Sequence, residues 1–262
     1  MRLVQLSDLH LLADPGGHYR GRSPHTRLHT ALAQVADLAH DLLVISGDLC
    51  QDETWQGYIR LRELLQNSHR WGPTRIPVAL LPGNHDHPAL LRAALGRQAV
   101  IAPARISLPG CRVLLLNSHR AGCTAGWIGA RQLRWLEDEL MREPLLPTLV
   151  VLHHQPVNIG DPELDAIGLQ DAPALIDRLV EVPGLRGVLF GHVHQHWQGF
   201  LPGRPDRLAA IPLLGCPSTL CPFGPIQPCP LGRPADPGGR WLELDPRGHL
   251  QQRLLRWSST SD

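Results

Sequence analysis

Short apolar runs alternate with longer amphipathic stretches through the first two thirds of the chain, the pattern of βαβ units around a sheet buried on both faces. The runs predict strands at Leu3–Ser7, Asp41–Ser46, Ile76–Leu81, Val113–Asn117, Thr148–Leu152 and Gly187–Phe190. Between them, Leu133, Leu136 and Leu140 recur at helical spacing, which predicts a helix over 130–143, and Ala174 to Val182 reads the same way. Trp135 and the other aromatic residues of helical stretches read as packing.

Beyond His196 the chain becomes rich in Pro and Gly, with short strands expected over 208–214, 240–244 and 250–257 and a hairpin turn at 245–248. No linker, repeat or low-complexity tract sets this part off. The reading is one domain, 1–262, in which 197–262 form a mainly β portion of antiparallel strands and loops packed on the rest as a cap or edge.

Composition narrows the function classes. With 262 residues and 43% hydrophobic content the chain can bury a sizeable core. Its 25 basic and 24 acidic residues are spread evenly, so no broad basic surface is available for a nucleic-acid backbone and a small-molecule substrate is expected. No stretch approaches the roughly 20 apolar residues of a membrane span. The amino terminus, MRLVQLSDLH, enters a strand at once without a signal-peptide pattern, which reads as cytoplasmic. The six cysteines lack a CxxC pair and read as reduced thiols; Cys216, Cys221 and Cys229 match no common structural zinc spacing. A homodimer is the assembly left open.

The unusual count is 15 histidines, and their placement matters more than their number. Asp8 and His10, Asp48, Asn84-His85-Asp86, His153-His154, and His192 with His194 all stand just past strand ends, where open α/β sheets gather ligands. Strand geometry puts His192 and His194 on one face. Singly, each has a bland reading: a cap for Asp8, turns for Gly47-Asp48 and Gly83-Asn84-His85-Asp86, a carbonyl-bonded ring for His153. Recurrence at strand ends alone favours a site. Carboxylate, amide and imidazole donors without thiolate suit Mn, Fe, Zn or Co. Seven ligands exceed what one ion takes, whereas two ions ~3.5–4 Å apart sharing a carboxylate account for them. Asp48, alone in its motif, is the natural bridge.

D-x-H, G-D, G-N-H-D, H-H and G-H-x-H in this order resemble the calcineurin-like metallophosphoesterases over residues 2–194. The resemblance implies an α/β fold, a four-layer α/β/β/α sandwich of two mixed sheets. It also implies two divalent ions, Fe²⁺ and/or Mn²⁺, with Zn²⁺ or Co²⁺ as alternatives. One would take Asp8, His10, Asp48 and His194, the other Asp48, Asn84, His153 and His192. Asp48 and His85 would be the catalytic pair, with substrate contacts from His10, Asn84, His85, His153 and His194. His85 would contact the phosphate or protonate the leaving oxygen, and His154 would face away from the metals.

Within that family the chain is most similar to the bacterial class III 3′,5′-cyclic-AMP phosphodiesterases, through SDLHL, LPGNHD, His153-His154-Gln155-Pro156, GHVHQ and Gly-Cys-Pro-Ser-Thr at 215–219. Gln155 replaces the usual proline of HHPP, a departure that bears on substrate fit. The implied reaction is hydrolysis of cyclic AMP to 5′-AMP by a hydroxide shared between the ions. The alternatives are a broader phosphodiesterase or phosphomonoesterase, acting for example on glycerophosphodiesters or 2′,3′-cyclic nucleotides, and a metal-dependent nuclease, which the even charge disfavours. A non-enzymatic scaffold would not need the intact ligand set. Residues 11–25, with His18, Tyr19, Arg20 and Arg22, read equally as a substrate wall or a solvated loop. The Cys-Pro-Ser-Thr segment would close the pocket opposite, Asn117, Ser118 and His119 are further candidate contacts, and His196 reads as surface.

Overall fold

The computed structural model describes residues 1–68, 70–71, 75–201 and 210–258. In chain order the elements are β1 (Arg2–Leu6), α1 (Pro24–Ala36), β2 (Leu42–Ile45), α2 (Trp55–Asn67), β3 (Val78–Leu80), α3 (Pro88–Leu95), β4 (Val100–Ile101), β5 (Ala104–Leu108) and β6 (Cys111–Leu115). They continue with α4 (Gly129–Arg142), β7 (Thr148–Val151), α5 (Pro162–Ala166), α6 (Ala172–Val180), β8 (Leu185–Phe190), β9 (Trp197–Phe200), β10 (Pro212–Gly215), β11 (Gly238–Leu244) and β12 (Leu250–Arg256).

Two six-stranded mixed sheets result, ordered β12-β11-β1-β2-β3-β4 and β5-β6-β7-β8-β10-β9. β2 and β3 are apolar at every position because alternate side chains enter different cores, whereas β1 also buries Gln5, whose Nε2 donates to Ser46 Oγ (2.9 Å) and Phe190 O (3.2 Å). In β2, Leu42 and Val44 join the core between the sheets, while Leu43 and Ile45 face the helices; in β7, Leu149 and Val151 point inward and Val150 outward. The outer face of the first sheet is covered by α1, α2 and α3, and that of the second by α4, α5 and α6. This is the expected four-layer α/β/β/α arrangement.

The six expected strands are β1, β2, β3, β6, β7 and β8. β6 starts earlier than the apolar run because it includes Arg112, fully buried, whose guanidinium bonds Thr148 Oγ1 (2.9 Å) and the carbonyls of Glu139, Leu140 and Glu143 at the end of α4. A cation there satisfies carbonyls that the helix leaves unpaired. Leu133, Leu136 and Leu140 are buried as their spacing requires, with Trp135 packed beside them. Trp55 departs from the packing expectation: it lies off the buried stripe of α2 and is 42% exposed.

Of the cap or edge expected, the carboxy-terminal strands form an edge of each sheet, ending in β12 and β9. β11 inserts between β12 and β1, antiparallel to both, and β10 lies between β8 and β9, parallel to β8 rather than antiparallel. Buried β1 and β8 each need a second neighbour for their backbone groups, and these strands supply it. Of the strand expected over 208–214, Leu208 and Ala209 lie outside the described residues. The turn at 245–248 closes the β11–β12 hairpin, with Asp245 N donating to His249 O at 3.1 Å and Gly248 at φ 84°. Among the described residues no helix is long and apolar enough to cross a membrane.

Candidate metal centre

Beyond their carboxy ends, β1 and β2 stay zipped: Asp8 N donates to Gly47 O (3.0 Å), His10 N to Asp48 O (2.9 Å), Leu11 N to Leu49 O (3.0 Å) and Gln51 N to Leu11 O (2.8 Å). Five candidate ligands, Asp8, His10, Asp48, His192 and His194, have positive φ between 48° and 66°. Left-handed backbone costs a non-glycine residue about 1–3 kcal/mol, and such strain concentrates at functional sites. Two glycines make the approach of the loops possible. A Cβ on Gly83 would lie 2.2 Å from Asp48 Oδ1, and one on Gly47 would lie 2.2 Å from His153 Nδ1.

Asp8, His10, Asp48 and His194, all buried, offer donor atoms within 4.8 Å of one another. His10 Nε2 is 3.1 Å from His194 Nε2 and 3.7 Å from Asp48 Oδ2, and His194 Nε2 is 3.5 Å from Asp8 Oδ1. On the other side of Asp48, His153 Nε2 lies 3.4 Å from Oδ1 and 3.2 Å from Asn84 Oδ1, and the His192 ring is 5.1 Å from that of His153. Asp48 therefore turns one oxygen to each group.

The imidazoles are oriented from behind. His153 Nδ1 donates to Ser46 O (2.8 Å) and His194 Nδ1 to Cys221 O (3.0 Å), so each directs Nε2 inward. Asp8 Oδ2 and His192 Nε2 are buried without a hydrogen-bond partner. Two inward nitrogens 3.1 Å apart, a carboxylate oxygen and an imidazole nitrogen left unpaired, and no thiolate among the donors together fit a pair of divalent cations.

The charge states divide: three histidines are held neutral, as ligands must be, whereas Asp8 and His153 are pushed toward their protonated forms. Burial lowers His10 to about 4, and burial with neighbouring imidazoles holds His192 and His194 well below the usual histidine value. Burial raises Asp8 to about 7. Burial alone would raise Asp48 and lower His153, but their mutual attraction outweighs it, holding Asp48 well below the carboxylate range and His153 up at about 9. A cation at His153 would displace that proton.

His154 does not face away. Its ring packs 4.6 Å from that of His192, where a Cβ on Gly126 would lie 2.4 Å from the ring. Both nitrogens are engaged: Nε2 donates to Thr124 O (3.0 Å), and Nδ1 meets Ser118 Oγ (2.8 Å), which also accepts from His154 N. Alongside these hydrogen bonds, His153, His154 and His192 offer donor atoms within 4.8 Å of one another. His196 is buried as well, not at the surface, because the fully buried Arg240 guanidinium needs acceptors and takes His196 Nδ1 at 2.8 Å.

Asp86 reads as a turn former in the sequence; in the structure it ties two ligand loops together. Its carboxylate accepts from Leu49 N, Cys50 N, Gly83 N and Tyr58 Oη. Gln51, Ser46, Cys221 and Phe223 carry no motif, and only their contacts bring them to the site.

The 11–25 segment forms part of the rim: the Tyr19 ring is 5.2 Å from that of His10, and the Arg20 guanidinium lies over Phe223, which stacks on His194 at 4.0 Å. His18 stays exposed, and Ser23 caps α1. Ser218 and Thr219 buttress the β1 loop through Asp8 O and Ser7 O. His119 Nδ1 donates to Gly83 O (3.0 Å), and His119 lines a cavity of about 380 Å³ with Asn84 and His85. Asn117 is pinned by Gln132. Gln155 is buried and donates to Leu164 O at 2.7 Å, so this departure from HHPP serves the loop.

Residues 1–196 match the model of the calcineurin-like phosphoesterase family. Over 261 residues, 98% of this chain and 97% of the relative, the sequence is 49% identical to a protein of Synechococcus sp. (strain WH7803) named "Probable cyclic nucleotide phosphodiesterase". It is 32% identical to the 3′,5′-cyclic adenosine monophosphate phosphodiesterase of Escherichia coli (strain K12), covering 99% of this chain and 91% of that one. Among solved structures, a dimetal phosphatase from Danio rerio superposes with a TM-score of 0.66 at 14% identity, covering 98% of this chain and 99% of the other.

Proposed function

The chain belongs to the calcineurin-like phosphoesterase family, and from that premise we propose that it is a two-metal phosphodiesterase hydrolysing 3′,5′-cyclic AMP to 5′-AMP. The observation that carries the reading is Asp48, whose Oδ2 addresses His10 and whose Oδ1 addresses His153. In this reading Asp8, His10 and His194 hold one ion, Asn84, His153 and His192 hold the other, and Asp48 serves both. The oxygen and imidazole donors suit Fe²⁺ or Mn²⁺, with Zn²⁺ or Co²⁺ also compatible. When bound, two such cations supply activation of water and neutralisation of charge on the phosphoryl oxygens.

The remaining work belongs to the chain's own residues. Asp48 Oδ1 accepts from His85 N at 3.0 Å, which sets the loop carrying Asn84 and His85 beside the ligands. His85, half-buried in the cavity that Asn84 and His119 share, directs its imidazole to a phosphoryl or leaving oxygen. Tyr19, Arg20 and Phe223 wall the opposite side. The names of the relatives support a cyclic nucleotide as the small-molecule substrate.

The test is a substrate panel after reconstitution with defined metals: cyclic AMP, 2′,3′-cyclic nucleotides, glycerophosphodiesters and a nitrophenyl diester. Selective conversion of cyclic AMP to 5′-AMP is expected. Comparable turnover of all four would replace the proposal with a general diesterase, and no turnover of any would remove it.

A further inference from the structure

Gln51 lies between a candidate ligand and the histidine at the mouth of the site. Its Oε1 is 2.7 Å from His10 Nδ1, and its Nε2 is 3.3 Å from His85 Nδ1. The two rings meet edge to face with centroids 5.2 Å apart. The amide is held in place by its backbone, since Gln51 N donates to Leu11 O at 2.8 Å at the end of the zipper joining the β1 and β2 loops.

The protons follow from these contacts. His10 Nε2 faces His194 Nε2 and Asp48 Oδ2, so as a ligand it keeps its lone pair there and carries its hydrogen on Nδ1. A donating Nδ1 requires an oxygen opposite it, which fixes the amide with Oε1 toward His10. The NH₂ group of the same amide then points at His85 Nδ1, which must accept. A neutral imidazole that accepts at Nδ1 carries its hydrogen on Nε2.

We propose that Gln51 is a positioning residue that couples the tautomer of His10 to that of His85, so that the histidine chosen to hold a cation also makes His85 an Nε2–H donor toward the substrate's phosphoryl or leaving oxygen. This rests on the reading of His10 as a ligand. It gives a motif-free residue a role that a packing contact would not have, because reversing the amide would cost both histidines their working tautomers at once.

The test is read on protons and needs no turnover. Long-range ¹H–¹⁵N correlation spectra of the histidine rings, in metal-free and Zn²⁺-loaded protein and assigned with His85→Ala, report which nitrogen carries hydrogen. His85 is expected with hydrogen on Nε2 and none on Nδ1. In Gln51→Glu, whose carboxylate can only accept, His85 Nδ1 is expected to gain a hydrogen. Hydrogen on His85 Nδ1 in the unaltered protein, or an unchanged Nδ1 in the variant, overturns the proposal. A kinetic cycle at saturating metal gives the second reading. Gln51→Met is expected to slow turnover on the order of 10- to 100-fold, as loss of a residue behind a metal ligand does, and to cost less in the His85→Ala background than in the unaltered protein, where only its support of His10 remains to be lost. Multiplying losses would make Gln51 merely structural. Failure of the protein to bind Zn²⁺ would strike the proposed function, whereas bound Zn²⁺ with hydrogen on His85 Nδ1 would strike the role of Gln51 alone.

Discussion

Tyr58 donates its hydroxyl hydrogen to Asp86 Oδ1 at 3.0 Å, and the same hydroxyl accepts from His87 N at 2.6 Å. The pair sits beneath the metal centre and gathers the Asp48 and Asn84 loops around one carboxylate. Asp86→Asn exchanges an acceptor oxygen for an NH₂ among amide donors, which should leave at least one buried N–H unpaired at a cost of about 1–3 kcal/mol. Urea unfolding should register that loss, and metal content should fall with it; unchanged stability and two bound metals would remove the positioning role. Tyr58→Phe should cost less, about 1 kcal/mol.

Asp48→Ala should abolish occupancy of both cation sites along with turnover, because both groups lose the same carboxylate. Elemental analysis after reconstitution checks it. Two ions per chain in the variant would end the bridging assignment.

His153 and His154 are neighbours with different expectations. His153→Ala should lose the ion on the Asn84 side. His154→Ala should retain two ions and lose on the order of 1–3 kcal/mol of stability, since Thr124 O and Ser118 Oγ lose their partner. A metal count on each variant distinguishes them, and loss of an ion from His154→Ala would make that ring a ligand.

Divalent cations should stabilise the fold directly. Asp8 Oδ2 and His192 Nε2 are buried unpaired, so a ligand that binds only the folded state and satisfies them should raise the unfolding free energy by about 2.7 kcal/mol at 100 times its Kd. Thermal unfolding with and without Mn²⁺ measures this. No shift in Tm on addition, and none on chelation, would contradict the site.

His40 supplies a pH dependence far from the metals. Its Nδ1 donates to Leu38 O (2.7 Å) and its Nε2 accepts from Trp71 Nε1 (3.0 Å), and burial, reinforced by Arg70, lowers its pKa below the ordinary 6.5. A depressed histidine pKa means that the unfolded chain binds the proton more readily. The stability contributed by neutral His40 is therefore full above about 6.5 and is lost as pH falls through the lower folded value. His40→Gln, which keeps an acceptor for Trp71, should shrink the loss in urea midpoint between pH 7.5 and 5.5; an equal loss in the variant would exclude His40 as its source.

Much of this was legible along the chain. Apolar runs located β1, β2, β3, β6, β7 and β8, because a strand covered on both faces buries most of its side chains; Gln5 in β1 and Arg112 in β6 are buried with hydrogen-bond partners. The residues just past them, Asp8, His10, Asp48, Asn84, His153, His192 and His194, could be named as donors, because strand-end position and donor type are local properties. What stayed hidden are the partners. Arg112 interrupts an apolar run yet lies in β6, Arg240 turns His196 inward, and Gly126 lets His154 approach His192. Gln51, Cys221 and Ser46 orient His10, His194 and His153 across separations of 41, 27 and 107 residues. Only the order of strands in the two sheets decides which loops become neighbours, and hydrogen bonds a few ångströms long cannot be read from residue types whose distance is set by everything folded between them.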